Sequence, residues 1–341
     1  MATEAASAVP AHVQLIQMGA TAYWGSMLLL AAARLDLADR LAAGARSATD
    51  LAREIELHAP SLYRFMRSLA GMGLLTEVRP QTFALTSLGE ALKKDAPGSA
   101  RASILMLTGF TGPLFAKLSY SLKSGKPAAD VVFGKPLFDY LGERPELVSL
   151  FSETMVGFHG REPAAVAAAY DFDALGSVVD IGGATGNMLV HVLQRHKKPR
   201  GVLFDMPHVV VDAPAFLAAH GMTDRVAIEP GSFFEAVPQG HDAYVLSHII
   251  HDWTEDQCQT ILANCRRAIG PNGRLLIVEM VLPEGDTPHL GKMLDMMMLL
   301  GPGGQERTGE EYRVLLKRAD FRMTRVIPTA SDVSIVEAVP S

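Results

Sequence analysis

The sequence predicts an α/β protein in which a doubly wound sheet domain follows a mostly helical N-terminal domain. From about Val178 onward, short apolar runs alternate with amphipathic segments, as in parallel strands joined by helices. Up to about Tyr170, apolar residues recur every three or four positions, which is typical of helices. A glycine-rich turn directly follows the first apolar run. These three observations define the predicted fold class.

Length and composition favour two folded domains that act on small molecules. The chain has 341 residues, of which 48% are hydrophobic, enough to bury two cores. The formal net charge is -6, so there is no overall positive field to recruit nucleic acid or an anionic membrane. Cys258 and Cys265 fall in one predicted helix and are expected to be buried thiols rather than a disulfide.

The N-terminus has no obvious targeting segment. It lacks the ordered charged and apolar regions of a secretory signal, so the cytoplasm is the expected location. The apolar stretch from Val13 to Leu37 is interrupted by polar residues and falls short of a membrane-spanning segment. We expect it to form a buried helix, which a subunit interface would also explain. No membrane partner is predicted.

Residues 46–95 have the order of a winged helix-turn-helix. Thr49 is placed to cap a first helix, and Pro60 and Ser61 to begin a second one through Leu69. A hairpin is predicted over Thr76–Leu85. This order raises the alternative of a DNA-binding regulator. Acids and bases are almost evenly mixed here, whereas DNA binding needs a one-sided basic surface, so no nucleic-acid partner is expected.

The predicted strands of the sheet domain follow one another from residue 177. They are Ser177–Ile181, Gly201–Phe204, Val226–Ile228, Ala243–Leu246 and Arg274–Glu279. Pro271 and Gly273 form the turn into the last of them. Ligands of such sheets bind outside the carboxyl ends of the strands, which is where the candidate site residues fall.

Three strand ends carry the features of a nucleoside site. The first strand leads into the turn Asp180–Gly186, where Gly182 lets the backbone approach a ligand. The second ends at Asp205, which can accept hydrogen bonds from both hydroxyls of a ribose. After the third, Ser232 and Phe233 offer a polar contact and an aromatic face to an adenine.

The spacing of the glycines disfavours a nicotinamide dinucleotide. Its fingerprint needs Gly-x-Gly-x-x-Gly, and counted from Gly182 the later glycine positions hold Ala184 and Asn187. An adenosyl ligand without a pyrophosphate fits better.

The fourth strand leads into Leu246-Ser247-His248-Ile249-Ile250-His251-Asp252-Trp253, and here the sequence resembles a known family. The ordered motifs are similar to those of the plant caffeate-type and bacterial natural-product O-methyltransferases. They are the glycine loop, Phe204-Asp205-Met206-Pro207, Gly231-Ser232-Phe233-Phe234, His251-Asp252-Trp253, Val278-Glu279-Met280 and Gly303-Gly304-Gln305-Glu306-Arg307-Thr308. The resemblance covers nearly the whole chain. It implies a Rossmann-like methyltransferase domain that binds S-adenosylmethionine, and a winged-helix-like N-terminal domain that serves dimerisation and covers the substrate.

The resemblance implies catalytic and cofactor roles for particular residues. His251 resembles the family's catalytic base, and Glu279 and Glu306 resemble the two carboxylates that flank and orient its imidazole. The implied cofactor-binding residues are Gly182, Asp205, Ser232, Phe233 and Ser247. Ala184, Ser232 and Ser247 depart from the family pattern, which commonly has a glycine, an acid and, in plants, a lysine there.

The resemblance also indicates the substrate. The candidate substrate-binding residues are Phe151, Met155, Phe158, Asp252 and Met297. Met297 lies in a methionine-rich run that suits either core filling or a pliable apolar wall. Gly301 replaces an asparagine that plant members use toward a phenylpropanoid, so a bacterial-type aromatic metabolite such as a polyketide or phenazine is preferred.

The chemistry is consistent with this assignment. A phenol has a pKa near 10 and an imidazole near 6.5, so complete proton transfer before attack would cost about 5 kcal/mol. Concerted proton removal, or a carboxylate that raises the basicity of the histidine, lowers that cost.

The sequence therefore predicts an S-adenosylmethionine-dependent O-methyltransferase that works as a homodimer without a metal. N- or C-methylation and the regulator are the alternatives. The predicted parts are a winged-helix-like domain over residues 1–100, a helical substrate-covering region over 101–170 and the catalytic domain over 171–341.

Overall fold

The computed structural model describes residues 9–341, with the backbone alone at Val156 and Phe158. The chain forms two compact units. The first runs to Pro113 and includes Arg144–Phe158, and the second consists of Leu114–Glu143 and His159–Ser341. This division differs from the predicted boundaries at residues 100 and 170. The middle region is shared between the units, because non-local packing rather than chain order decides which segments belong together.

The first unit has the predicted order of two helices followed by a hairpin. Its strands are β1 (Arg46–Ser47), β2 (Leu75–Arg79) and β3 (Thr82–Leu85), antiparallel in the order β1-β3-β2. Its helices, including two π-helical segments, are Ala11–Ile16, Gln17–Thr21, Ala22–Arg34, Leu37–Leu41, Ala48–Glu54, Ala59–Gly71, Ser87–Glu90, Arg101–Ile104, Leu105–Phe110 and Pro145–His159, the last ending at the boundary with the second unit.

The cap of the first of the two winged-helix-like helices is Ser47, not Thr49 as predicted. The Ser47 hydroxyl accepts a hydrogen bond of 3.1 Å from the backbone N–H of Asp50. Ser47 is the last residue of β1 and has an extended backbone, which is the conformation that a capping residue needs. Pairing of β1 with β3 therefore sets the start of this helix two positions earlier than the composition indicated.

The N-terminal apolar stretch is helical but exposed. It covers Ala11–Arg34, and this helix is long and apolar enough to cross a membrane. Length and composition are weak evidence of a membrane span, however, when they concern a single helix near the N-terminus. Leu15 and Met18 are 69% and 72% exposed, so this chain does not itself bury the first part of the helix, and its burial at a subunit interface stays a prediction. An apolar pattern predicts that one face of a helix is buried, but it does not show whether the same chain or another one buries that face.

The second unit contains the doubly wound sheet. Its strands are β4 (Ser177–Ile181), β5 (Arg200–Asp205), β6 (Val226–Pro230), β7 (Ala243–Ser247), β8 (Arg274–Glu279), β9 (Val281–Leu282), β10 (Arg307–Thr308), β11 (Phe321–Pro328) and β12 (Ser334–Pro340). The main sheet has the order β11-β12-β8-β7-β4-β5-β6, and β9 pairs with β10 separately. The strands from β8 to β6 in this order are parallel, whereas β12 runs antiparallel to both of its neighbours. The five predicted strands are all present; β11 and β12 were not predicted.

The second unit also contains helices, some of which pack on each face of this sheet. They are Gly112–Phe115, which spans the boundary between the units, and Leu118–Ser124, Ala128–Val132, Leu137–Gly142, Glu162–Ala169, Phe172–Ala174, Asn187–Arg195, Val210–Asp212, Ala213–Ala219, Ile250–Asp252, Glu255–Ala268, Gly291–Leu300 and Gly309–Arg318. Adjacent residues of β4 belong to different cores, Val178 to one and Val179 to the other, because strand side chains alternate between faces. Cys258 and Cys265 are buried free thiols in one helix, as predicted.

The order of the strands positions the site. The chain passes from β4 to β5 on one side and later places β7 on the other side of β4, so the direction of strand addition reverses there. A crevice forms at such a reversal, outside the carboxyl ends of the strands. The loops after β4 and β7 border it.

Candidate active site

The glycine loop after β4 is shaped by close packing. Gly182 has a φ of +72°, and a Cβ there would lie 2.3 Å from Cδ1 of Ile249 and 3.7 Å from Cε1 of Phe233. A Cβ on Gly183 would lie 2.4 Å from Oδ2 of Asp180. Any side chain at these two positions forces its neighbours to move. The glycines therefore allow the loops after β4, β6 and β7 to meet, while the approach of a ligand to the backbone at Gly182 stays a prediction.

Asp205 at the end of β5 holds the glycine loop. Its Oδ2 accepts a hydrogen bond of 3.0 Å from the backbone N–H of Ala184, and its Oδ1 accepts one of 2.7 Å from that of Met206. Ala184 has a φ of +49°, in the left-handed region that favours glycine. The departure from the family's glycine is thus accommodated, and this turn presents the Ala184 N–H to the carboxylate.

Asp180 carries an unmatched acceptor beside this loop. Its side chain is buried, and Oδ2 has no hydrogen-bond partner among the described residues. Burial, together with the charge of Asp205, raises the pKa of Asp180 to about 7. Two carboxyls so placed favour a cationic ligand. The sequence showed Asp180 as the start of the loop and gave its side chain no role.

His251 lies in the loop after β7, against a buried carboxylate. Its Nδ1 is 2.6 Å from Oε1 of Glu306, and the two side chains are 8% and 0% exposed. A carboxylate accepts the Nδ1 proton, which leaves Nε2 as the atom able to exchange a proton with a ligand. Glu279 is placed differently from the expectation. It accepts a 3.1 Å hydrogen bond from the backbone N–H of His251 rather than from the ring, and a second one from the hydroxyl of Tyr312.

The carboxylates around His251 determine its protonation. Burial alone would lower the pKa of His251, but Asp252, Glu306 and Glu279 outweigh it and raise the pKa to about 10. Burial, with the charges of Glu279 and Glu306, raises the pKa of Asp252 to about 6. The nearer Asp252 oxygen is 3.8 Å from Nε2 of His251. The imidazole is consequently a much stronger base than a free histidine.

Buried groups fix the two loops that carry His251 and Glu306. A Cβ on Gly304 would lie 1.9 Å from the backbone oxygen of His251, so the two loops touch directly. Arg307 is fully buried and donates to Oε1 of Glu255 at 2.8 Å and to the backbone oxygen of Ile250 at 3.4 Å. The sequence placed Gly304 and Arg307 in a motif but gave neither a function; their role is visible only once the loops are adjacent.

An aromatic group lies beside the glycine loop. Trp253 packs edge-on against Phe233 and Phe234, with ring centroids 5.9 and 4.8 Å apart, and Phe138 lies 5.6 Å from it. The indole Nε1 of Trp253 is buried without a hydrogen-bond partner among the described residues. The sequence predicted Phe233 as an adenine contact, whereas Trp253 was recorded only as part of a motif.

Comparisons with known proteins agree with this geometry. Residues 115–322 match a family model described as an O-methyltransferase domain. The chain belongs to the O-methyltransferase family. Residues 19–95 of this methyltransferase match an O-methyltransferase dimerisation domain, which is the role that the resemblance implied for the winged-helix-like region.

Individual relatives cover almost the whole methyltransferase. A phenazine O-methyltransferase from Lysobacter antibioticus is 40% identical over 98% of each chain. An O-demethylpuromycin-O-methyltransferase from Streptomyces alboniger is 39% identical over 94% of this chain and 88% of its own. The solved structure of an O-methyltransferase from neocarzinostatin biosynthesis, in complex with S-adenosylmethionine and a naphthoic acid, matches with a TM-score of 0.83 at 33% identity, over 93% of this chain and 96% of its own. The predicted Rossmann-like fold and enzyme class are confirmed.

The residues of the crevice fit S-adenosylmethionine. The free acceptor of Asp180 suits the ammonium group of its methionyl portion, and Asp205 suits the ribose hydroxyls. The aromatic rings of Phe233 and Trp253 offer apolar faces to the adenine. Ser232 is half-buried and its hydroxyl accepts a 3.3 Å hydrogen bond from the N–H of Phe234, while Ser247 is the half-buried last residue of β7.

The predicted substrate-binding residues of the methyltransferase fall into both units. Asp252 and Met297 belong to the second unit with His251, and Met297 is half-buried in the helix Gly291–Leu300. Phe151 and Met155 are half-buried on the helix Pro145–His159 in the first unit, so their place at the substrate stays a prediction. The side chain of Phe158 lies outside the described residues.

Proposed function

We propose that the protein transfers a methyl group from S-adenosylmethionine to a hydroxyl group of a small aromatic molecule, with His251 as the general base. The observation that carries this proposal is the 2.6 Å contact between Nδ1 of His251 and the buried carboxylate of Glu306, beside the glycine loop and its paired aspartates. That arrangement leaves Nε2 as the atom that receives the proton.

The donor, when bound, supplies a methyl group that is already activated by its sulfonium. The protein therefore has two tasks, to align the acceptor hydroxyl and to remove its proton. With a pKa of about 10, His251 matches a phenol, so proton transfer between them is close to balanced. That balance applies to the neutral imidazole; at pH 7 an imidazole with this pKa must first lose its own Nε2 proton to solvent. The proton leaves the hydroxyl for Nε2, while Glu306 holds the opposite side of the ring.

The substrate class we propose is a bacterial-type aromatic metabolite. The relatives include a phenazine O-methyltransferase, and a solved neighbour holds a naphthoic acid. In this chain Gly301 leaves no polar side chain where plant members have one, and a Cβ there would lie 2.8 Å from Cε of Met297. Met297 therefore occupies the space beside Gly301, which supports an apolar wall for a flat ring.

We further propose that the protein is a homodimer. The dimerisation domain match and the exposed apolar face of Ala11–Arg34 support this assembly, because a second copy would cover that face. The cytoplasm remains the expected location.

Replacement of the base tests the proposal. His251→Ala is expected to lower kcat on a hydroxylated aromatic substrate by about 10²- to 10⁴-fold, the usual contribution of a general base, while S-adenosylhomocysteine still binds. His220→Ala is the matched control, because His220 is exposed and its ring contacts the neighbouring Phe216, with Nδ1 hydrogen-bonded to the Phe216 backbone oxygen. A hydroxylated-aromatic screen with labelled methyl donor supplies the substrate. If His251→Ala kept full turnover, the general-base assignment would be wrong.

A further inference from the structure

His248 is held in an unusual conformation three residues before the proposed base. Its φ is +53°, in the left-handed region. A side chain other than glycine is held there at a cost of order 1 kcal/mol, although histidine tolerates this region better than most residues. The backbone N–H of His248 donates to the carbonyl of Val278 at 3.1 Å, which fixes the turn to the neighbouring strand. The strained residue is therefore anchored rather than mobile.

The imidazole of His248 belongs to a cluster in which Glu162 is buried and His159 and His248 are partly buried. Its Nε2 is 2.7 Å from Oε2 of Glu162, and Nδ1 of His159 is 3.0 Å from the same oxygen. The rings of His159 and His248 have centroids 3.9 Å apart. All these residues belong to the second unit, together with His251. The cluster is thus part of the same structural body as the base.

The protonation of the cluster follows from its contacts. Burial would raise the pKa of Glu162, but the hydrogen bonds from His159 and His248 outweigh it and hold the pKa at about 2. Burial lowers the pKa of His248 to about 4. At neutral pH Glu162 is therefore a carboxylate and His248 a neutral imidazole. The single ring proton of His248 lies on Nε2, where it is donated to Glu162.

This assignment leaves Nδ1 of His248 as a bare acceptor. The atom is buried and has no hydrogen-bond partner among the described residues. Buried polar atoms are nearly always matched by a donor, so an unmatched one needs an explanation. The ring of His248 has its centroid 5.1 Å from that of His251. A hydroxyl at His251 would therefore lie next to the ring that carries this acceptor.

We propose that Nδ1 of His248 accepts a hydrogen bond from a second hydroxyl or amino group of the aromatic substrate. His248 then selects molecules with two donors on the ring, one methylated and one used for recognition. The inference rests on the proposed function for the presence of a substrate beside His251. Glu162 is a positioning residue, because it fixes the tautomer that makes Nδ1 an acceptor.

The spacing suits substituents on one ring system. Each hydrogen bond spans about 2.8 Å, and the two imidazole centroids are 5.1 Å apart, so two oxygens on nearby ring carbons can reach both histidines. His159, Glu162 and His248 also have the donor types of a metal site. Their contacts with Glu162 are at hydrogen-bonding distance, however, and Nδ1 of His248 takes no part in them, which makes a substrate donor the better explanation for that atom.

Binding measured without turnover tests the inference. We suggest calorimetry on the protein saturated with S-adenosylhomocysteine, using 2,3-dihydroxynaphthalene and 2-naphthol as probes. Wild-type protein is expected to bind the dihydroxy probe more tightly. His248→Ala is expected to weaken the binding of the dihydroxy probe about tenfold, which is the effect of one lost hydrogen bond, and to leave the binding of 2-naphthol unchanged. His248→Asn, which tolerates the left-handed backbone and keeps an acceptor oxygen, is expected to restore part of the preference.

Further variants separate recognition from structure. Glu162→Gln is expected to reduce the preference, because an amide no longer fixes the tautomer, and His220→Asn is the surface control. Equal weakening of both probes in His248→Ala, or no preference in wild type, would overturn the inference. So would stoichiometric Zn²⁺ binding that His248→Ala abolishes, since the cluster would then be a metal site. The His251→Ala test measures turnover, whereas these experiments measure binding. Failure of the proposed function can therefore be told apart from failure of this inference.

Discussion

The Nδ1 atom of His251 lies 2.6 Å from Oε1 of Glu306, and the carboxylate is completely buried. A buried carboxylate in this position both orients the ring and stabilises its protonated form. The imidazole is therefore strongly basic, and we expect the activity of the proposed base to depend on pH.

The activity is expected to rise with pH from 7 to about 10. Below pH 10 both His251 and a phenol of similar pKa are mostly protonated. The imidazole must therefore lose its Nε2 proton before it can accept the proton of the phenol. A kcat/KM profile on a phenolic substrate checks this. A profile that is flat between pH 7 and 9 would contradict the raised pKa.

Glu306→Gln is expected to move that profile to lower pH and to reduce its maximum by at least about tenfold. Removal of the negative charge lowers the pKa of His251, and the amide holds the ring less firmly. Glu284→Gln, at an exposed position, is the control and should reproduce the wild-type profile. An unchanged pH limb in Glu306→Gln would show that Glu306 does not set the basicity of His251.

Asp180→Asn is expected to stabilise the ligand-free protein at pH 8 and to weaken S-adenosylmethionine binding. The folded-state pKa of about 7 lies above the ordinary value of 3.8, so the folded protein carries a penalty above pH 7 that disappears as the pH falls toward 4. In thermal melts, the increase in Tm of Asp180→Asn over the wild type should therefore be larger at pH 8 than at pH 5. Asp224→Asn, at an exposed site, should show no such difference. Equal effects at both pH values would argue against the raised pKa.

Ala184→Gly is expected to leave the free energy of unfolding unchanged or to raise it by up to about 1 kcal/mol. Glycine adopts the left-handed backbone of this position without the strain that alanine has there. Ala218→Gly is the matched comparison, since Ala218 is exposed in the last turn of the helix Ala213–Ala219, where glycine costs up to about 1 kcal/mol. Melting curves of the two variants decide the point. If both variants lost the same stability, the backbone at Ala184 would not be strained.

Gly304→Ala is expected to abolish most activity, because a Cβ at this position would lie 1.9 Å from the backbone oxygen of His251 and must displace it. Gly270→Ala introduces the same methyl where no atom lies within 4 Å and should be silent. Turnover and circular dichroism of both variants distinguish displacement of the base from unfolding. Full activity in Gly304→Ala would show that the two loops move independently.

Much of the site was predictable because it is local in sequence. Asp205 ends one strand and His251 comes shortly after another, both strands are identified by the alternation of apolar runs, and parallel strands bring such ends to one edge. The contact between His251 and Glu306 spans 55 positions, and only the family resemblance pointed to it. The cluster of Glu162 with His248 spans 86 positions and had no sequence signal.

The fold shows the same limit. The strands β4 to β8 were predicted from apolar runs, whereas β11 has exposed and half-buried positions between its ends and was missed. An edge strand needs less apolar surface, so its pattern is weaker. What buries the apolar face of the Ala11–Arg34 helix could not be predicted for a related reason, because burial depends on partners that periodicity does not identify.

The two thiols have a consequence for the chemical durability of the protein. Cys258 and Cys265 are buried, and burial raises the pKa of each to about 12. Because the thiolate is the nucleophile, neither sulfur reacts appreciably with electrophiles at neutral pH. Hydroxylated aromatics oxidise readily to quinones, which alkylate exposed cysteines. A catalyst that handles such compounds gains from a folded chain whose thiols are out of their reach, and it should withstand quinones and air without a reducing agent.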